Sequence, residues 1–338
     1  MLAAKVIADQ GIVVEGVNFF TGFCVEGHTH AIRENRSKRP KRNNALWVAE
    51  QLGIKLHIID VIEEYKDIVL NPRHGYGAHL NPCLDCKVFM VKKAVELWLS
   101  DGFMSEHGFD FIITGEVIGQ RPKSQRKATM PLIARESGAD DRLLRPLCAK
   151  FLPETLPERE GWVDREALFG FHGRNRTPQI ELARRLGIED WAQPAGGCCF
   201  LTDDSYSDKL QDIWQAQGVR SYELDDIMLL KVGRHIRPAA NFKLIIGREL
   251  GENRYLEGYR KQFPVLKLES HKGPLCLIDG TPSAADLLLA ARITGRYSQG
   301  REAGQIVVSV NWPDGRSEEL TTTPLPKAEL APEWLIGA

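Results

Sequence analysis

Short apolar runs alternating with helical segments constrain the fold of this chain most. Ile12–Phe20, Lys55–Asp60 and Phe109–Thr114 read as largely apolar strands. Between them, Asn44–Leu52, Ile62–Leu70 and Val88–Leu99 carry helical periodicity, and Gly53 closes the first of the three. Strands separated by helices predict a doubly wound α/β fold with a parallel sheet and ligands at the carboxyl ends of its strands. Met1–Gln10 is also helical in pattern, so the chain begins on a helix with no strand ahead of it.

The pattern changes near Ser205. Lys209–Gln217 reads as a helix, and Ile227–Val232, Phe242–Ile246 and Pro274–Ile278 read as strands. We expect one domain over residues 1–204 and a second, smaller α+β domain over 205–338, and a chain of 338 residues can bury two cores.

The residues that carry chemistry lie in turns. In Asn81-Pro82-Cys83-Leu84-Asp85-Cys86-Lys87 two thiols stand two residues apart, ahead of a helix. Thiols at a helix N-terminus are drawn toward the thiolate, which attacks, carries sulfur and binds metal. The alternative is a structural zinc turn or two small buried hydrophobes. Asp85 can orient a ligand or cap the helix. Glycines in Gly115-Glu116-Val117-Ile118-Gly119-Gln120, at the end of an apolar strand, let a ligand approach the backbone. Ser124 and Gln125 follow with neutral donors. Gly196-Gly197-Cys198-Cys199 is a second cysteine site and fits a third ligand beside the CxxC pair.

A net charge of −1 excludes a simple basic nucleic-acid binder, so RNA affinity must come from local patches. Arg33–Arg42 holds six basic residues in ten. Lys231, Arg234, His235, Arg237 and Lys243, interleaved with apolar residues, would put cations on one sheet face. Arg248 and Asn253 follow. Seven cysteines, with no secretory leader and no apolar run able to span a bilayer, imply a reducing cytoplasm and no membrane partner.

These motifs resemble a known family. Gly115-Glu116-x-x-Gly119-Gln120 with Ser124-Gln125 resembles the motif of tRNA 4-thiouridine synthases of the PP-loop (ATP pyrophosphatase) superfamily. Asn81-Pro82-x-x-Asp85-Cys86 resembles the cysteine turn of tRNA 2-thiouridylases. Pro194-Ala195-Gly196-Gly197-Cys198 resembles the third-cysteine motif of thiouridylase-like proteins with an appended domain. That appendage, similar to the NFACT RNA-binding domain, is matched by Gly233-Arg234-His235-Ile236-Arg237 and by Gly247-Arg248 with Asn253.

The resemblance implies ATP-dependent thiolation of a tRNA uridine, with Mg2+. A sulfur-donor protein or inorganic sulfide would be a further partner, and a homodimer is compatible with it. It implies a 4Fe–4S cluster on Cys83, Cys86 and Cys198, with Cys199 as rival for the third position. A metal-free persulfide pair of Cys86 and Cys198 and a zinc site are the alternatives. Glu116 and Gln120 would line the nucleotide and uridine pocket, and Phe19 and Phe20 either stack adenine or belong to the core. The superfamily's Ser-Gly-Gly-x-Asp-Ser loop is absent. Met1–Ile7 matches the helix that follows that loop, and the strand before it would lie between Ile12–Phe20 and Phe109–Thr114. We expect that the start codon has been placed too late.

Overall fold

The computed structural model describes residues 1–24, 43–99, 108–191 and 199–337. The Arg33–Arg42 patch and Cys198 lie outside the described residues. The chain divides into two compact units: residues 1–21 with 43–196, and 22–42 with 197–338. The division falls at Gly196 rather than at the expected Asp204, because the backbone of Phe23 and Phe200 pairs and both rings pack on Tyr206.

In the first unit α1 (Leu2–Ala8) precedes β1 (Gly16–Phe20), and α2 (Asn44–Leu52) precedes β2 (Leu56–Asp60). The Asn43 side chain caps α2 at its start and Gly53, in the left-handed region, ends it. Then follow α3 (Ile62–Leu70), α4 (Cys83–Trp98), β3 (Ile112–Ile113), α5 (Met130–Glu136), β4 (Leu143–Leu144), α6 (Leu156–Arg159) and α7 (Thr177–Arg185). The helix expected from Val88 starts at Cys83, so the CxxC pair forms its first turn.

The strands are parallel as expected, but one continuous doubly wound sheet is not formed. β1 pairs with β2, β3 pairs with β4, and among the described residues no ladder joins the two pairs. A cavity of about 290 Å³ lies where a joining strand would have to be, lined by residues from Ile12 to Phe19 and from Phe109 to Thr114 and by Lys87, Val91 and Trp98 of α4. Paired strands run about 4.8 Å apart with ladder bonds between them, and across this cavity none is made among the described residues.

The second unit has α8 (Asp204–Gln217), α9 (Leu224–Leu229), β5 (Arg234–Ala239), β6 (Phe242–Ile246), α10 (Leu250–Glu257), β7 (Val265–Leu268), β8 (Cys276–Gly280), α11 (Ala284–Arg296), β9 (Ile306–Asn311), β10 (Ser317–Thr322) and β11 (Leu335–Ile336). Its seven strands form one antiparallel sheet in the order β10-β9-β7-β8-β6-β5-β11. Ile236, Phe242, Leu244, Ile278, Val308 and the apolar side of α11 share one core. Ile227–Val232, expected as a strand, begins instead as helix α9. The Glu223 N–H donates to Asp226 Oδ2 at 2.8 Å in a capping box that starts the helix. No described helix is long and apolar enough to cross a membrane.

Candidate functional site

Three segments of the first unit converge on the start of α4. Cys83 and Cys86 stand one turn apart, at the first and fourth helical positions, and both are half-buried. The Cys83 thiol donates to Ser124 Oγ at 3.3 Å, which brings the cysteine turn to the Gly115–Gln125 loop. Lys123 of that loop donates to the Tyr76 carbonyl, tying in the segment before α4. Asp85 does not cap its own helix. Its Oδ2 accepts the His74 N–H at 3.0 Å, and its Oδ1 lies 3.6 Å from His74 Nδ1. His74 Nε2 in turn lies 3.3 Å from Glu136. Asp85 therefore ties the His74 segment to the first turn of α4.

Glu116 is buried. Its Oε2 accepts from Arg145 Nε at 3.1 Å and Thr114 Oγ1 at 3.0 Å, and its Oε1 is 3.7 Å from Lys87. Burial pushes the carboxyl up, but Lys87 and Arg145 outweigh it and hold the group below its ordinary value. Oε1 accepts no hydrogen bond, and neither does Gln125 Oε1, also buried. Glu116 thus anchors the end of β3 to α4 and to the residue after β4, and does not itself face open space. Gly119 takes φ +76° and its N–H donates to the Gln125 carbonyl at 2.6 Å, closing the loop. Gln120 reaches Gln179 at 3.5 Å, and Gly115 is exposed with open space on its Cβ side. Phe19 is a core ring set edge-on to Trp98, and Phe20 is half-buried. Cys148 is buried, and its pKa is pushed up to about 11 by that burial; it donates to the Glu116 carbonyl at 3.3 Å. It is therefore a structural thiol.

The described residues do not complete a metal site. No group of three or more His, Cys, Asp or Glu side chains able to hold a metal occurs among them. A cluster on Cys83 and Cys86 would need its third thiol from Cys198, outside the described residues. In the second unit the structure adds a cysteine that sequence reading passed over. Cys24 pairs with Cys199 across an antiparallel bridge. The flanking bond, from Phe200 N–H to the Phe23 carbonyl at 2.9 Å, makes this the narrow, non-hydrogen-bonded kind of pair. In such a pair the Cα atoms come within disulfide range. A single cysteine far from any motif gave no signal of this.

The cations expected on one sheet face of the second unit separate into two groups. Lys231, His235 and Lys243 are buried. Lys231 follows α9, donates to the Gly22 carbonyl at 2.5 Å, and is lowered to about 8 by burial. Lys243 lies 3.6 Å from Asp212 and 3.3 Å from Asp279, and Arg237 holds Asp212 with two bonds of 2.5 and 2.8 Å. Asn253 uses its Oδ1 to accept the Leu275 N–H at 3.1 Å, an internal role. Arg234 and Arg248, by contrast, border a cavity of about 820 Å³ together with Lys272, Arg296, Tyr297 and Arg301. Those last four residues come from loops and a helix end that strand periodicity could not link to Arg234.

Comparison with known proteins agrees with this division. Residues 1–140 match the family described as tRNA methyl transferase HUP domain, and residues 233–335 match the NFACT protein RNA binding domain. A tRNA-specific 2-thiouridylase MnmA of Pelobacter propionicus is 24% identical over 312 residues, covering 90% of this chain and 74% of that protein. A second such 2-thiouridylase, MnmA 1 of Syntrophus aciditrophicus, is 26% identical over 220 residues, covering 62% of this chain and 52% of the other. The solved C-terminal part of the fibronectin/fibrinogen-binding protein from Streptococcus suis overlaps 46% of this chain and 78% of that one, at 13% identity and a TM-score of 0.27, a likeness too slight to argue from. The chain is similar to PP-loop, thiouridylase-like proteins, and it joins a segment matching a HUP-domain family to one matching an NFACT-type RNA-binding domain.

Proposed function

We propose that this protein inserts sulfur into a uridine of tRNA, the first unit carrying the chemistry and the second holding the RNA. The observation that carries this reading is the Cys83–Ser124 hydrogen bond, which puts the cysteine turn and the glycine loop at one place. The reaction has two steps. The uridine carbonyl oxygen attacks the α-phosphorus of Mg2+-bound ATP, and pyrophosphate leaves. A sulfur nucleophile then adds to the activated carbon, and AMP leaves with the oxygen. Cys83 and Cys86 stand one turn apart at the start of α4, half-buried, where either thiol can hand sulfur to the activated carbon. If an iron–sulfur cluster binds here, Cys83 and Cys86 would be two of its thiolate ligands and it would present the sulfur.

The test is a nucleoside mass spectrum of tRNA from a strain lacking the gene, complemented by wild type or by variants. We expect one thiolated uridine to vanish on deletion and to return with wild type, but not with Cys83→Ala or Cys86→Ala. Cys148→Ala should restore it at least partly, because that thiol is buried and protonated. An unchanged thiouridine profile on deletion would sink the reading. The cavity between the two parallel strand pairs favours a second one, in which the first unit does not activate a base and the chain serves as an RNA binder. Wild-type protein that releases pyrophosphate from ATP only when tRNA is added would exclude that alternative.

A further inference from the structure

The cavity bordered by Arg234 and Arg248 has a composition of its own. Five cations line it, Arg234, Arg248, Lys272, Arg296 and Arg301, against one carboxylate, Glu249. Arg296 lies 3.8 Å from the exposed Glu302. Arg234, Arg248, Lys272 and Arg301 form no ion pair among the described residues, whereas Arg237 and Lys243 of the same sheet are matched by Asp212 and Asp279. Uncompensated positive charge is therefore gathered here, on a chain whose net charge is −1. Arg248 is preset. Its Nη2 donates to the Gly233 carbonyl at 2.5 Å and its N–H to Glu252 at 2.7 Å.

Charge alone would suit any polyanion. One further feature narrows it, since a duplex seals its bases inside the stack and an unpaired strand presents them. An aromatic ring sits in the lining. Tyr297, half-buried at the end of α11, has the Arg234 guanidinium 4.9 Å from its ring centroid. A guanidinium laid on a ring makes a flat cationic platform, on which a nucleobase stacks whatever its sequence. We propose that this cavity takes one unpaired nucleotide of RNA, its base stacked on the Arg234–Tyr297 pair and its phosphate held by Arg248, Lys272 and Arg301. This rests on the reading of the second unit as the RNA-holding unit. It adds that the unit selects loops or ends of an RNA over its paired stems.

The test uses the full chain and two labelled RNAs of equal phosphate number, a hairpin with an unpaired loop and a blunt duplex, followed by fluorescence anisotropy. The hairpin should bind about tenfold more tightly, in the range that stacking one base supplies. Tyr297→Leu, which keeps an apolar side chain against the core, should remove that preference and leave duplex binding unchanged. Tyr297→Phe should keep it. Lys272→Gln with Arg301→Gln, both exposed and harmless to the fold, should weaken hairpin binding and lower its salt slope by about two. Equal binding of the two RNAs by wild type, unaltered by Tyr297→Leu, would overturn the unpaired-nucleotide site and leave RNA holding intact. No binding of either RNA would overturn the RNA-holding reading itself.

Discussion

His235 is buried in β5, and its Nε2–H is directed at the carbonyls of Val232 at 3.1 Å and Leu229 at 3.3 Å, while Nδ1 accepts nothing. Burial, with the ammonium groups of Lys209 and Lys243 nearby, pushes the imidazole well below its ordinary value. In the unfolded chain the same ring takes up a proton below about pH 6.5, and in the folded chain it does not. The unfolded state binds more protons there, so stability must fall as pH drops below about 6.5, by up to about 1.4 kcal/mol per pH unit. His235→Gln keeps a donor for the carbonyls and cannot titrate. The gap in urea midpoint between wild type and His235→Gln should therefore shift against wild type between pH 7.5 and pH 5.5. A gap independent of pH would show that the folded ring takes up its proton as the unfolded one does. Nothing local in the sequence reveals this burial. Lys231, His235 and Lys243 alternate with apolar neighbours as surface cations do, and the carboxylates that accept Lys243, Asp212 and Asp279, lie far away in sequence. The cysteine turn was legible because its residue types imply chemistry wherever they lie.

Elements were legible where their ends carry their own signals. α2 runs from the Asn43 cap to Gly53 as the residue types require, and α3 follows its periodicity. α9 was misread because an apolar run of strand length cannot be told from a buried helical turn, and the deciding Glu223–Asp226 box lies just before it. The start of α10 shows how closely such ends are built. A Cβ on Gly247 would come within 2.1 Å of Asn253 Oδ1, the atom that accepts the Leu275 N–H. Gly247→Ala must push that side chain away and leave a part-buried N–H without its acceptor, at a cost of about 1–3 kcal/mol. Asn253→Ala removes the same bond by another route. The two changes share one mechanism, so the double variant should lose clearly less than the sum of the singles. Additive losses in denaturant unfolding would mean that Gly247 is required for another reason.

At the scale of the molecule, the two units differ in how their strands are satisfied. In the second, β6 lies between β5 and β8, all five of its residues are buried, and β8 is held between β6 and β7. The antiparallel sheet was only partly visible in sequence, because register across seven strands depends on pairs distant along the chain. In the first unit the alternation of strand and helix correctly implied parallel pairing, and the resemblance placed a strand between Ile12–Phe20 and Phe109–Thr114. The structure has a cavity there, so among the described residues β1 and β3 each meet a ladder partner on one side only. Amide protection follows ladder bonds and the contacts that keep a segment closed. In a strand paired on one side, alternate N–H groups have no ladder acceptor. Hydrogen exchange at neutral pH should therefore find β6 and β8 slowest, with β1 and β3 faster by at least about tenfold and biphasic within each strand. If β1 exchanges as slowly as β6, the strand pairs are closed against each other in solution. The cavity would then be filled, leaving one continuous sheet with a crevice at the carboxyl ends of its strands.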